Sequence, residues 1–228
     1  MIPKALLFKQ FLKRPLQVAS VVPSSRTLVR MVADKMDFLQ PRIIVEFGPG
    51  DGCHTREIMR RMHPDSRLLL FELCPALAQH LQNQFHDDPR VMVLNTDAAN
   101  LHQELSRHDI AHCDYVLSGI PFSILETSKK RTLLQSIYDC LTPAPHAAFI
   151  IYQVTNELLA RGHCSHFPSA QSKYCLRNIP PLFVTKFYRI ANSHAQATRT
   201  TRRAITLHRI RRLASLAARR RSQAASSN

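Results

Sequence analysis

The apolar positions of this chain change their period near residue 41. Before it, the stretch from Lys4 to Leu16 carries Leu7, Phe8, Phe11, Leu12 and Leu16 on one side of a helical wheel, with Lys9, Gln10, Lys13 and Arg14 on the other. Pro15 ends or kinks this helix. A basic amphipathic helix of this kind either lies on a membrane surface or packs over the core. Ser24 or Ser25 then caps a second helix that runs to about Met36. After Pro41, short unbroken apolar runs take over: "IIVEF" (43–47), "LLLFE" (68–72), "VMVLN" (91–95), "DYVLS" (114–118) and "AAFIIYQ" (147–153). Helices are predicted between them near 54–62, 75–85 and 128–141, the second opened by Pro75. Continuous apolar strands alternating with helices predict a parallel sheet covered on both faces. "KYCLRN" and "LFVTKFYRI", divided by "IPP", predict a closing antiparallel pair. The chain therefore reads as an α/β core over 41–190, with a helical cap and membrane-surface segment over 1–40 and a tail over 191–228.

Composition adds two constraints. Of the 228 residues, 45% are hydrophobic and 21% charged, which fits a globular domain with a sizeable core, and no apolar run approaches the roughly 20 residues of a membrane span. Lys9 and Lys13 interrupt "ALLF" before a secretory signal could form, so a cytoplasmic protein is expected. Six cysteines occur without a CxxC pair and read as reduced thiols. His163, Cys164, His166 and Cys175 match no standard zinc spacing, and no metal is expected.

Charge is unevenly distributed. The net +15 divides into +6 over residues 1–42, zero over 43–190 and +9 over 191–228, the last from nine arginines with no acid. A neutral core with basic ends predicts a polyanionic partner, either a membrane surface or nucleic acid, although such a tail can also be merely solvated. "ITLHRIRRLASLAARRR" can form a basic helix.

The chemistry concentrates at "VEFGPGDG" (45–52), which holds three of the five glycines at the end of the first predicted strand. The G-x-G-x-G spacing misses the dinucleotide fingerprint, and Cys53-His54 replaces the Lys-Ser/Thr of a phosphate-binding loop. Glu46, Glu72 and Asp97 fall at three successive strand ends. A carboxylate after strand two suits a ribose diol, one after strand three can read an adenine amino group, and one beside the glycines suits positive charge. Together they predict a cationic nucleoside rather than a pyrophosphate.

"VEFGPGDG", "FELCP", "NTDAANL" and "VLSGIPFS" resemble the successive motifs of class I S-adenosylmethionine-dependent methyltransferases, over about residues 15–190. "RPLQVASVVPSSRTL" and "LRNIPP" are similar to segments of bacterial phospholipid N-methyltransferases, small membrane-peripheral enzymes that methylate the phosphatidylethanolamine head group and are related to the rRNA adenine dimethyltransferases. The resemblance implies a single Rossmann-like domain with a seven-stranded, mostly parallel sheet and helices on both faces. It implies a cofactor loop of Glu46, Gly48, Gly50 and Gly52, with Glu72 on the ribose, Asp97 and Ala98 beside adenine, and Leu73 also at the cofactor. Ser118, Gly119, Pro121 and Phe122 would border the transferred methyl, Ser118 also touching the cofactor, while Pro23, Ser24 and Ser25 would close over cofactor or substrate.

One departure bears on the acceptor. Adenine N6 enzymes carry Asn/Asp-Pro-Pro-Tyr or Asn-Leu-Pro-Tyr, whose first side chain holds the target amino group; here the stretch is "SGIPF", with Gly119 in that place. Phe122 keeps an aromatic ring, either as a cation–π face for a methylated ammonium or as part of the core. His54, His163 and Tyr152 are the titratable groups at hand, and the sequence selects none of them as a base. The expectation is an N-methyltransferase acting on phosphatidylethanolamine or a related amine phospholipid, held peripherally at the inner face of the membrane by its N-terminal helix and basic tail. Methylation of rRNA adenine is the alternative. A cofactor-binding protein without transferase activity is a third reading.

Overall fold

In a computed structural model of the chain, residues 24–160 and 164–190 are described; the amphipathic N-terminal stretch, Pro23, His163 and the arginine tail lie outside them. Helix α1 (Arg26–Ala33) begins where Ser25 Oγ accepts the Leu28 N–H at 3.1 Å, which satisfies one of the first turn's orphan donors. The alternation then runs β1 (Ile43–Phe47), α2 (Cys53–Arg61), β2 (Arg67–Phe71), α3 (Pro75–Phe85), β3 (Val91–Leu94), α4 (Leu101–Arg107), β4 (Tyr115–Ser118), α5 (Thr127–Cys140), β5 (Ala148–Gln153), α6 (Glu157–Ala160), β6 (Ser169–Cys175) and β7 (Leu182–Tyr188). Short 3-10 turns at Ala98–Asn100 and Phe122–Ile124 follow β3 and β4.

The seven strands form one sheet in the order β3-β2-β1-β4-β5-β7-β6. β1 to β5 are parallel, and β7 runs antiparallel to both β5 and β6. β6 therefore runs with β5, and six of the seven strands end at the same edge. Strand alternation splits the apolar side chains between two layers. Ile44, Leu68, Leu70, Tyr115, Leu117, Ile150 and Val184 pack with Leu28, Val32, Ile58, Leu81 and Phe85 of α1, α2 and α3. Val45, Phe47, Leu69, Val116, Phe149 and Ile151 pack with Leu101, Leu105, Leu133, Leu134 and Ile137 of α4 and α5.

The mostly parallel seven-stranded sheet with helices on both faces is the architecture expected from the apolar pattern. Most element ends agree within a residue or two. The seven-residue α4 and the four-residue α6 are the helices that the pattern missed, and β6 begins at Ser169, ahead of the predicted "KYCLRN". All six cysteines are free thiols, four of them buried. Among the described residues no three His, Cys, Asp or Glu side chains are grouped so as to hold a metal ion. Nor, among those residues, is any helix long and apolar enough to cross a membrane.

Candidate active site

The strand ends at the carboxyl edge are stitched together by backbone hydrogen bonds. Gly48 N donates to Phe71 O at 2.9 Å, Glu72 N to Leu94 O at 3.0 Å, and Gly119 N to Phe47 O at 2.9 Å. The glycine loop thus leaves β1 bound to β2 on one side and to the β4 exit on the other. Gly50 has φ +58°, and a Cβ placed on it would meet no heavy atom within 4 Å, so its backbone faces open space that a ligand can approach. Gly52, with φ +73°, is different: a Cβ there would meet Phe85 Cζ at 2.9 Å. Its smallness lets α2 start hard against α3. The amides of the first turn of α2 open toward this edge and favour an anionic group there.

The acids expected around the loop divide by depth. Glu72 is 6% exposed; its Oε1 accepts the Cys74 N–H at 2.9 Å and its Oε2 faces the Gly50 N–H at 3.4 Å, while burial raises its pKa. One carboxylate thereby fixes the β2 exit to the open side of the loop. Leu73 beside it is exposed. Asp97 is exposed too, and its Oδ1 accepts the Ala99 N–H at 2.9 Å, capping the turn that contains buried Ala98. Glu46 belongs to another layer: strand alternation turns it under the loop, toward α2, where it is 1% exposed and accepts the Thr55 hydroxyl at 2.7 Å. Burial there lifts its pKa to about 7. The acid read from sequence as facing a ligand is instead a buried prop of the loop.

At the β4 exit, Ser118 is fully buried and its Oγ accepts the Ile120 N–H at 3.2 Å. Pro121 is half-buried at the start of the following turn. Phe122 is fully buried and packs against Phe149, ring centroids 5.7 Å apart. Of the two roles open to it in the sequence, the ring takes the core one, because the turn after Pro121 drops it onto the α4–α5 face. Gly119 is crowded. A Cβ on it would lie 2.7 Å from Tyr152 Oη and 2.8 Å from Gly48 O. A tyrosine hydroxyl from β5 occupies the place where a longer residue 119 would begin.

β5 therefore contributes more than the sequence disclosed. The Tyr152 ring stacks on His54, with centroids 4.6 Å apart, and His54 Nε2 lies 3.2 Å from Ser24 Oγ. Burial lowers the His54 pKa to about 4, raises Tyr152 well above its usual value, and with Asp51 nearby pushes Cys53 up to about 12. All three are uncharged at neutral pH, so these side chains bring no charge to this flank of the site. Ser24 and Ser25 thus lie beside this flank, Ser25 N donating to Asn178 Oδ1 at 2.8 Å. Gln153 ends β5 on the opposite face, 7% exposed, and both of its side-chain polar atoms lack a partner among the described residues. The readable signal was a polar Tyr-Gln pair closing an otherwise apolar strand.

Comparison with known proteins bears on the family. The sequence model of the ribosomal RNA adenine dimethylase family matches residues 23–124. An ornithine lipid N-methyltransferase of Singulisphaera acidiphila is 31% identical over 139 residues, covering 61% of this chain and 72% of that protein. A ribosomal RNA small subunit methyltransferase A of Mycoplasma capricolum is 25% identical over 122 residues, covering 53% of this chain but only 44% of its own length. Among solved structures, the precorrin-6y C5,15-methyltransferase of Geobacter metallireducens superimposes with a TM-score of 0.57 at 12% identity, covering 72% of this chain and 88% of that one, a likeness of fold. With a glycine loop and acids at the ends of adjacent strands of this sheet, and with that 31% identical relative, the chain belongs to the class I S-adenosylmethionine-dependent methyltransferases.

Proposed function

We propose that the enzyme methylates the amino nitrogen of a membrane amine lipid, either phosphatidylethanolamine or a related head group. The observation that carries this reading is the crowding at Gly119. The position from which adenine N6 enzymes hold a planar amino group has no side chain here, and its space is taken by Tyr152 Oη and Gly48 O. The ornithine lipid enzyme among the relatives supports an amine-lipid acceptor. The basic ends outside the neutral core support meeting that acceptor on an anionic surface, where each basic residue contributes about 1 kcal/mol.

In this reading the open backbone at Gly50 and the α2 N-terminus receive the methionine carboxylate, Glu72 the ribose, and Leu73, Asp97 and Ala98 the adenine. Gly48 and Gly52 shape the loop and Glu46 supports it from beneath. Ser118, Gly119 and Pro121 form the wall beside the transferred methyl, with Phe122 as its buried foundation. Ser24 and Ser25 border the entrance. When bound, S-adenosylmethionine supplies the electrophilic methyl. The chain's task is to orient an amine lone pair toward it and keep water out. The neutral His54–Tyr152 flank suits that second task. A group of pKa about 4 holds a proton too weakly to take one from an alkylammonium, so His54 is not assigned as a base.

Methylation of rRNA is the second reading, favoured by the family match over residues 23–124. Radiolabelled S-adenosylmethionine, offered with phosphatidylethanolamine vesicles, ornithine-lipid vesicles or deproteinised rRNA, separates the two. Label is expected in a lipid. Label confined to RNA would overturn the amine-lipid reading.

A further inference from the structure

Exposed apolar side chains gather on one half of the carboxyl edge. β5 and β6 end on the edge that bears the glycine loop, so the segments after them flank the acceptor side of Gly119. Val154, Leu159, Tyr174, Leu176 and Ile179 stand exposed there, whereas Leu39 and Ile190 lie at the opposite edge and Leu73 on the cofactor side. Single exposed apolar residues are ordinary, but a cluster beside an active site marks an interaction surface. Its summit is the loop between β6 and β7, "LRNIPP" (176–181), where Leu176 is 73% and Ile179 79% exposed.

The loop is held firmly from below. Asn178 is 4% exposed; its Oδ1 accepts the Ser25 N–H at 2.8 Å and its Nδ2 donates to Pro180 O at 2.8 Å. The amide of the loop faces inward while Leu176 and Ile179 face outward, the reverse of a solvated turn. Charge narrows the occupant. From Ser169 to Leu182 the chain carries exposed Lys173 and Arg177 and no acid, and Arg177 lies between the two apolar tips. Apolar tips interleaved with cations suit the boundary between acyl chains and anionic head groups.

We infer that the β6–β7 loop inserts Leu176 and Ile179 into an anionic bilayer surface and so sets the acceptor side of the active site against the lipid. This contact is separate from any made by the chain ends, and it rests on the amine-lipid reading above only for its purpose.

The chain has no tryptophan, which makes a direct test available. In the full-length protein, Ile179→Trp is expected to shift its emission to the blue, and to be quenched by bromine-labelled acyl chains, when vesicles of phosphatidylcholine and phosphatidylglycerol are added. Leu39→Trp, at the far edge, is expected to do neither. The double variant Leu176→Ser/Ile179→Ser is expected to keep its melting temperature, to lose about 30-fold in vesicle affinity, and to retain transfer to a short-chain amine lipid kept below its micelle concentration; such a loss follows when two aliphatic side chains forfeit part of their transfer from water.

Vesicles that pellet the protein without moving the Ile179→Trp emission would overturn the inference and leave the substrate reading untouched. So would an emission shift that follows protein concentration rather than vesicles, since the occupant would then be a second copy. An emission already blue in buffer that turns red on deleting residues 1–22 would overturn it as well, by assigning the loop to the chain's own N-terminus. A vesicle-dependent shift in an enzyme that labels no amine lipid would uphold the docking and defeat the substrate reading.

Discussion

Gly119→Ala is the sharpest test of the site. Gly119 has no positive φ, so its cause is space: the new Cβ would lie 2.7 Å from Tyr152 Oη, 2.8 Å from Gly48 O and 3.4 Å from Phe47 O. Contacts below about 3 Å must relax by movement, and neither near neighbour is a flexible chain end. Tyr152 is stacked on buried His54, and Gly48 O belongs to the backbone that begins the glycine loop. Overpacking of this kind costs about 1–3 kcal/mol, or roughly 3–10 °C in melting temperature for a domain of this size. Because the clash pushes the loop itself, S-adenosylmethionine affinity should fall together with stability. Thermal unfolding and calorimetric titration of the cofactor read the two losses separately. Tyr152→Phe, added to Gly119→Ala, removes only the hydroxyl contact and should recover part of the stability, with the Gly48 O clash persisting. A Gly119→Ala enzyme with wild-type melting temperature and cofactor affinity would refute the reasoning.

Other outcomes follow from the same geometry. Gly50→Ala has open space around its Cβ and should fold, with about 1 kcal/mol of left-handed backbone strain, yet bind cofactor more weakly; Gly52→Ala, facing Phe85, should instead lose stability first, as melting curves would show. Glu72→Gln should weaken cofactor binding at least tenfold in titration while circular dichroism stays unchanged. Burial depresses the His54 pKa from 6.5 to about 4, so its contribution is present above 6.5 and is lost as pH falls through 4. It raises the Glu46 pKa from 4.5 to about 7, so that contribution is present below 4.5 and is lost as pH rises through 7. Each is worth up to about 3 kcal/mol, and denaturant midpoints measured against pH should flatten on the acid side in His54→Phe and on the neutral side in Glu46→Gln. Glu157→Ala strands Lys130, whose side chain is 6% exposed and paired to Glu157 at 2.7 Å, and should cost about 3 kcal/mol in urea unfolding.

The strands and the long helices were legible because a parallel sheet, buried on both faces, writes its strands as unbroken apolar runs. α4 was not, since Leu101 and Leu105 are too few to establish a period in seven residues. At the site, spacing alone marked the glycine loop and the acids after β2 and β3. Depth was not marked. Glu46 reads like Glu72 in the sequence, but strand alternation sends its carboxylate under α2 to Thr55. Phe122 likewise looks available until the turn after Pro121 lays it on Phe149. The sequence also showed that Gly119 lacked a side chain; only the antiparallel register of β5 against β7, and its parallel place beside β4, reveals that Tyr152 fills the vacancy.

Asn178 gives the loop and the entrance a shared fate. The same amide that braces the Leu176–Ile179 tips also holds the Ser25 backbone, one residue from the Ser24 hydroxyl that touches His54. Whatever steadies one end of this strut steadies the other, and such linkage is reciprocal. With the loop docked as inferred above, and Ser24 and Ser25 at the cofactor entrance as proposed, cofactor retention and surface residence are two readings of one equilibrium: an enzyme charged with its methyl donor should dwell longer on the bilayer than a spent one, by the same factor that the bilayer tightens its hold on the donor.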